Sequence, residues 1–444
     1  MAPLIDNAPF TYMVDQPSAR RRATATWPLF LVVIFATFLL GPYPLSLAAG
    51  GARVQIWRVV FVLGALMVVP AVLRSAQGRP RVPTMFLLMS AFWLGWGLLS
   101  FGWAPSLASG TIELFGLVTG VSLAATVGLV GGQSAAHQRL LTRCWTVAVG
   151  AESALALVEY VTGVHLPSPH GAGLGALGIH TRFLTGTFAN PNDVAAFLLL
   201  GLPLCVASVG TWPRRWQRRA SVAAIVMASI VIVISKSRLC TLGLLVGAIA
   251  YMTLTKSGGR RPYRGRLSYL WLLVLPVALL AAKPSILAKF GNLANEWSRG
   301  GSLRDRVLLI RHGWDAAYRT RFLGLGIGGF EPSVRALPTQ LASSGDVNPH
   351  NFAMELLSQY GLLVFASFWS WFMMTFRAIQ QERRRALAVD RRSFAAALTT
   401  AAMVSFAVFI PASSDPSSFI EQGTGWLFLG SLLAIAPLSA DRRL

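Results

Sequence analysis

Asn348-Pro349-His350-Asn351 is the stretch with the most evident chemical use, running from a long polar connection into the apolar run Phe352 to Met374. Asn is a favoured helix N-cap and Pro a favoured first helical residue, so the string predicts His350 in the opening turn of a helix. The positive end of the helix dipole disfavours imidazolium there, leaving a neutral ring able to accept a proton near pH 7. Cations accompany it: Arg182, Lys236, Arg238, Arg304, Arg306 and Arg311 fall in segments assigned below to the same side. Several cations with one neutral imidazole suit a substrate carrying a phosphate leaving group and a hydroxyl to be activated. Arg offsets the departing charge through its planar fork, and His takes the hydroxyl proton. No close carboxylate pair or Asp-x-Asp string joins them, so neither a metal nor another cofactor is expected. Serine hydrolysis lacks a G-x-S-x-G context. A lone histidine near a helix start also serves as a plain capping or interfacial residue. Ser235-Lys236-Ser237-Arg238 reads equally as a snorkelling pair, so spacing alone does not choose.

The elements that must position these residues are membrane helices. Of 444 residues, 54% are hydrophobic and only 13% charged, against about 25% charged in soluble domains. Apolar runs of spanning length cover 27–47, 54–73, 84–103, 108–130, 142–162, 191–210, 220–235, 238–255, 267–283, 351–376, 394–411 and 419–438. The expected fold is all-α and polytopic, with about 12 transmembrane helices. Residues 1–26 read as a cytoplasmic tail, 27–283 as helices one to nine, and 284–349 as an extracytoplasmic segment. Helices ten to twelve follow in 350–438, and 439–444 is a second cytoplasmic tail. No cleavable signal peptide is expected, because the first apolar run is too long for one.

The net charge of +22 raises the possibility of nucleic-acid binding, which the location of the charge argues against. Most Lys and Arg fall in alternate loops, including Arg20–Arg22, Arg214–Arg219, Lys256–Arg266 and Arg377–Arg392. That is the positive-inside pattern with both termini cytoplasmic. It leaves His350 and its accompanying cations on the outer face.

Other features carry less. Cys144, Cys205 and Cys240 sit in apolar runs without paired spacing and read as small buried hydrophobes. His165, His170 and His180 lie in a Gly- and Pro-rich outer loop at spacings that fit no compact zinc motif. Glu113, Glu152 and Glu159 fall within apolar runs, where carboxylates are costly and turn to the bundle interior; for Glu159 a solvated outer edge reads equally well. Asn190-Pro191 repeats the cap-and-proline logic at the start of another helix. Leu303 to Tyr318 shows an amphipathic period, with Leu303, Val307, Leu308, Ile310, Trp314 and Ala317 on one stripe that would lie along the membrane. Gly324-Leu325-Gly326-Ile327-Gly328-Gly329 lacks the strand that a nucleotide loop needs and reads as a tight turn.

Three strings carry a resemblance: His350-Asn351 followed by nine residues and Gly361, Arg238-Leu239-Cys240-Thr241-Leu242, and Arg306 through Gly324-Leu325-Gly326. Together with Gly186-Thr187-Phe188-Ala189-Asn190-Pro191-Asn192, they make the chain resemble the O-antigen ligase and polymerase superfamily of bacterial envelope glycosyltransferases. The family's usual Pro before the glycine-rich turn is Arg321 or Phe322 here. The resemblance implies a metal-independent, inverting, GT-C-type transferase of the bacterial inner membrane, acting at the outer face. Its donor would be a glycan on undecaprenyl diphosphate. The acceptor would be the lipid A-core in a ligase, or a growing glycan in an O-antigen or exopolysaccharide polymerase. By the same implication His350 is the catalytic base and Arg238 and Arg306 the diphosphate clamp. Arg182 and Arg304 are second choices on position and charge. A transporter of lipid-linked glycans is a weaker alternative, because no inverted repeat of broken helices is evident.

Overall fold

The computed structural model describes residues 26–39, 46–49, 52–55, 58–59, 61–66, 84–165, 184–188, 190–235, 237–256, 302–337, 347–416 and 418–436. These residues form a polytopic helical bundle. The helices are α1 (Thr26–Leu39), α2 (Thr84–Ser100), α3 (Leu107–Gly131), α4 (Ala135–Thr162), α5 (Pro191–Ser208), α6 (Arg215–Ile234) and α7 (Arg238–Lys256). They continue with α8 (Ser302–Arg319), α9 (Phe330–Arg335), α10 (Phe352–Val389), α11 (Phe394–Ser413) and α12 (Gly423–Ile435).

Among the described residues seven helices are long and apolar enough to cross a membrane, and three shorter apolar helices, α1, α2 and α12, join them. The expected run 267–283 lies outside the described residues. Within 54–73, residues 54–55 belong to a strand and 61–66 are helical. A count of about 12 is therefore not reached from the described residues. A small antiparallel hairpin, β1 (Ser46–Ala49) with β2 (Ala52–Gln55), pairs Ser46 with Gln55. Its strands overlap the ends of two runs read as helical.

Local chemistry explains the helix starts. Ser106, Ser134 and Asn190 each accept a backbone N–H with the side chain, and Pro191 takes the first position of α5 as expected. Helix α5 is the buried axis of the bundle, packed against α4, α6, α7 and α11. Helices α3 and α12 pack closely because their facing residues are small. A Cβ added at Gly128 would meet Leu433 Cβ at 2.8 Å, and one at Gly131 would meet Ala434 Cβ at 2.8 Å. In a membrane such close van der Waals approach is a main source of helix association. Trp145 on α4 donates to Ser431 Oγ on α12 at 2.8 Å, which ties this pair to the rest.

The chain order sorts the connections into two ends. One end holds Arg139, Arg143, Arg214–Arg219 and Arg391–Arg392, with Arg143 donating to Thr211 and Gln138 to the Ala434 carbonyl. The other end holds Ser106, Glu159, Asn190, Ser237, Asn351 and Ser414.

Two helices differ from expectation. Helix α10 runs on to Val389, well past 376, because Arg383 is buried and donates to the Leu254 carbonyl at 2.6 Å and Thr400 Oγ1 at 3.1 Å. It is also broken at Gly361, whose φ of 80° and ψ of −177° are not helical. Helix α8 exists as expected, but its stripe is split. Leu309, Ala316 and Ala317 turn inward, whereas Val307, Ile310 and Trp314 are exposed. The reason is Gly313, which lies so close to α10 that a Cβ there would meet Met354 Cγ at 2.6 Å.

Candidate functional site

The site is built where the starts of α7 and α10, the flank of α8 and the end of α11 converge. Its hub is Asp415, in the short polar connection Ser414–Gln422 between α11 and α12. Asp415 is 1% exposed. Arg306 of α8 donates to its Oδ1 at 3.0 Å and closes an ion pair. Ser237, just before α7, donates its hydroxyl to Oδ2, and the Cys240 thiol donates to the same oxygen at 3.4 Å. Ser237 Oγ also accepts the Cys240 N–H at 3.2 Å. A carboxylate held by a guanidinium, a hydroxyl and a thiol is satisfied despite burial, as a charge at this depth requires.

His350 is buried at 5% exposure, and its Nδ1 lies 3.4 Å from the Asp415 backbone carbonyl. It does not occupy the opening turn of α10. Asn351 is the cap, accepting the Met354 N–H at 3.0 Å, and Phe352 is the first helical residue. The expected cap, Asn348, is three residues too early. His350 sits just outside the helix with a φ of 46°, so it still faces the N-terminal dipole but on a left-handed backbone. Asn351 also donates to Ser414 Oγ at 3.2 Å.

The remaining sequence candidates divide. Arg238 is the first residue of α7, three residues before the N–H-to-Ser237 bonded turn ends at Thr241, and it is half-buried beside this constellation. Arg304 is half-buried on α8, and Arg311 is exposed. Arg182, Lys236, His170 and His180 lie outside the described residues. Among the described residues no group of three or more His, Cys, Asp or Glu is placed to hold a metal.

The glycine-rich turn after α8 is stitched onto the break in α10. Leu325 N–H donates to the Ser358 carbonyl at 2.8 Å and Gly326 N–H to the Gln359 carbonyl at 3.0 Å. Leu362 N–H returns a bond to the Phe322 carbonyl at 2.9 Å. Gly361 and Gly324, both with positive φ, permit the two backbones to meet. The departure at Arg321 and Phe322, where the resembling family carries Pro, is absorbed by left-handed backbone at both residues, with φ of 51° and 61°. This strap fixes α8, and hence Arg306, relative to the segment carrying His350.

Glu159 and Glu152 hold backbone in place, whereas Glu113 holds side chains. Glu159, 1% exposed, is at no solvated edge; it accepts the N–H groups of Thr185 at 2.7 Å and Gly186 at 2.8 Å. Glu152 accepts the Thr187 hydroxyl at 2.5 Å and N–H at 3.1 Å. These two residues pin the turn that leads into α5. Glu113 accepts from Gln359 Nε2 and Tyr360 Oη, each at 3.2 Å. His312 on α8 meets Ser333 Oγ at 3.0 Å, and burial lowers its pKa, with Asp315 opposing.

Sequence reasoning missed Asp415 and Glu355. The signal for Asp415 was present: Pro411-Ala412-Ser413-Ser414-Asp415-Pro416 is a polar, turn-rich string between two apolar runs. Residues 223–369, which include Arg238, Arg306, His350 and Gly361, match the family described as O-Antigen ligase. A curated relative, the Teichuronic acid biosynthesis protein TuaE of Bacillus subtilis (strain 168), is 23% identical over 433 residues. The alignment covers 94% of this chain and 85% of the relative. With the His, Arg and Gly strings brought to one end of a helical bundle, the segment 223–369 is similar to the O-Antigen ligase family, and the chain as a whole is similar to TuaE.

Proposed function

We propose that the chain is an integral membrane glycosyltransferase that moves a glycan from undecaprenyl diphosphate to a sugar hydroxyl. The observation that carries this reading is the gathering of Arg306, the Arg238 end of α7 and His350 around one buried residue, Asp415, whose carboxylate takes Arg306 and Ser237 and whose backbone carbonyl faces His350. His350 Nδ1–H donates to the Asp415 carbonyl, leaving Nε2 as the acceptor for the hydroxyl proton. The acceptor oxygen attacks the anomeric carbon from the face opposite the leaving group, with inversion. The carbon–oxygen bond to the diphosphate breaks, and the bond electrons leave with it. Arg238 and Arg306 hold the departing charge, with Arg182 and Arg304 as further cations. Guanidinium groups supply the charge that a divalent ion supplies elsewhere.

The basic end of the bundle is the cytoplasmic side by the positive-inside rule. Segment 284–349 and the site then lie on the extracytoplasmic side of the inner membrane. The leading acceptor is the lipid A-core, as in a ligase. A second reading, polymerisation onto a lipid-linked glycan, is favoured by the relative named for teichuronic acid biosynthesis.

The test incubates the purified chain in nanodiscs with an undecaprenyl-diphosphate-linked repeat unit, with and without lipid A-core. Product on the core supports the ligase, and a lengthened lipid-linked glycan supports the polymerase. Neither product from folded protein overturns the reading. His350→Ala is expected to bind donor and fail to transfer, with EDTA without effect on the unsubstituted chain; transfer by that variant removes His350 from the chemistry.

A further inference from the structure

Glu355 lies on α10 five residues beyond His350 and is 2% exposed. Its Oε1 accepts the Ser418 hydroxyl, and its Oε2 accepts the Phe419 N–H at 3.0 Å. Both donors belong to the α11–α12 connection that carries Asp415. The first residues of α10 are thus laced to this connection at three successive points: His350 to the Asp415 carbonyl, Asn351 to Ser414, and Glu355 to Ser418 and Phe419. Phe352, between them, packs against Phe419 with ring centroids 4.5 Å apart and planes tilted by 42°. Further along, Arg58 donates to the Glu421 carbonyl at 2.9 Å and Ser418 Oγ accepts the Glu421 N–H at 3.2 Å.

The connection is irregular backbone between two membrane helices, and such backbone keeps one shape only if its polar groups are satisfied inside the protein. Glu355 does this for its middle, two residues beyond Pro416. Asp415 is held at one end by Arg306, Ser237 and Cys240, all attached to other helices. Without Glu355, no hydrogen bond among the described residues ties the middle of the connection to α10. The Asp415 carbonyl can then drift from His350 Nδ1 while the Asp415 side chain remains with Arg306.

We propose that Glu355 is a positioning residue for the transfer reaction: it sets the Asp415 carbonyl against His350 and so keeps the imidazole in its base orientation. This rests on His350 acting as the base. Glu355 itself touches no reacting atom.

The experiment measures kcat, donor KM and the pH dependence of kcat per folded molecule for the full chain in nanodiscs. Glu355→Ala is expected to lower kcat about 10- to 100-fold, part of what general-base catalysis supplies. Donor KM should stay within about threefold, because no Glu355 contact reaches Arg238 or Arg306, and the acidic limb of the pH profile, where a general base becomes protonated, should shift as Nδ1 loses its fixed acceptor. Glu355→Gln should recover kcat to within about threefold, since its carboxamide oxygen still accepts Phe419 N–H and its nitrogen donates to Ser418 Oγ. Ser418→Ala removes one lacing bond and should fall between; it carries the test if the alanine variant does not fold. Unchanged kcat and pH profile in Glu355→Ala or Ser418→Ala overturns the inference, as does a Gln variant as impaired as Ala. Transfer by His350→Ala overturns the site reading itself, whereas an inactive His350→Ala beside a fully active Glu355→Ala overturns only the positioning role.

Discussion

Replacing Gly361 by Ala tests whether the break in α10 is the joint that holds the site together. Two costs follow from the structure. The first is conformational: a φ of 80° with a ψ of −177° is a region kept essentially for glycine, costing an L-residue about 1–3 kcal/mol. The second is steric. The added Cβ would lie 2.4 Å from the Phe322 carbonyl oxygen and 2.5 Å from that of Leu323, both backbone atoms that cannot swing aside. Relieving the clash moves the strap away and strains the bonds from Leu325, Gly326 and Leu362, each worth about 0.5–1.5 kcal/mol. The expected loss is about 3–6 kcal/mol, at the top of the range for single substitutions. Thermal unfolding in nanodiscs, followed by tryptophan fluorescence, should show a clearly lowered midpoint, with transfer lost in the fraction that remains folded. Gly95, beside which an added Cβ meets nothing within 4 Å, is the control, and Gly95→Ala should be near neutral. A Gly361→Ala protein with the parental midpoint and transfer rate would refute the reasoning.

Asp415→Ala leaves Arg306 without its carboxylate and Ser237 without its acceptor. Because Arg306 keeps 21% side-chain exposure, solvent recovers part of the loss, and about 2–3 kcal/mol of destabilisation is expected with transfer abolished; parental activity would remove the hub. Glu159→Ala strands two buried N–H groups and should cost about 2–4 kcal/mol in the same unfolding measurement, with Glu159→Gln recovering part. His312 is held below its ordinary pKa by burial, so the unfolded chain takes up the proton first as pH falls. Stability should therefore drop on acidification below about pH 6.5, and His312→Gln should flatten that part of the curve.

Helix starts and spans were legible because they obey local rules. Asn190 and Pro191 start α5 as their types dictate, Ser106 and Ser134 obey the same rule at α3 and α4 without having been singled out, and long apolar runs mark most of the helices. The cap of α10 was misplaced because Asn348 and Asn351 satisfy the same rule, and only the tertiary pairing of Asn351 with Ser414 selects the second. His350, Arg238 and Arg306 could be nominated from charge, spacing and family strings. Their meeting at Asp415 could not, since that residue is 65 positions from His350 and 109 from Arg306 along the chain. The split stripe of α8 escaped for a similar reason. Periodicity reports which residues share a side, but Gly313 decides which side meets α10.

The strap across Gly361 also bears on how the protein is made. A helix interrupted inside a bilayer bares two carbonyls and an N–H that lipid cannot satisfy. Here the complementary backbone, Phe322 to Gly326, is synthesised before the interruption it serves. When α10 emerges, the partner for its bare groups has already been made upstream in the chain, so the wound is dressed as it opens. Exchanging that order by circular permutation would leave the same contacts possible in the finished protein but expose the gap during insertion, and yield, rather than activity per molecule, would register the difference.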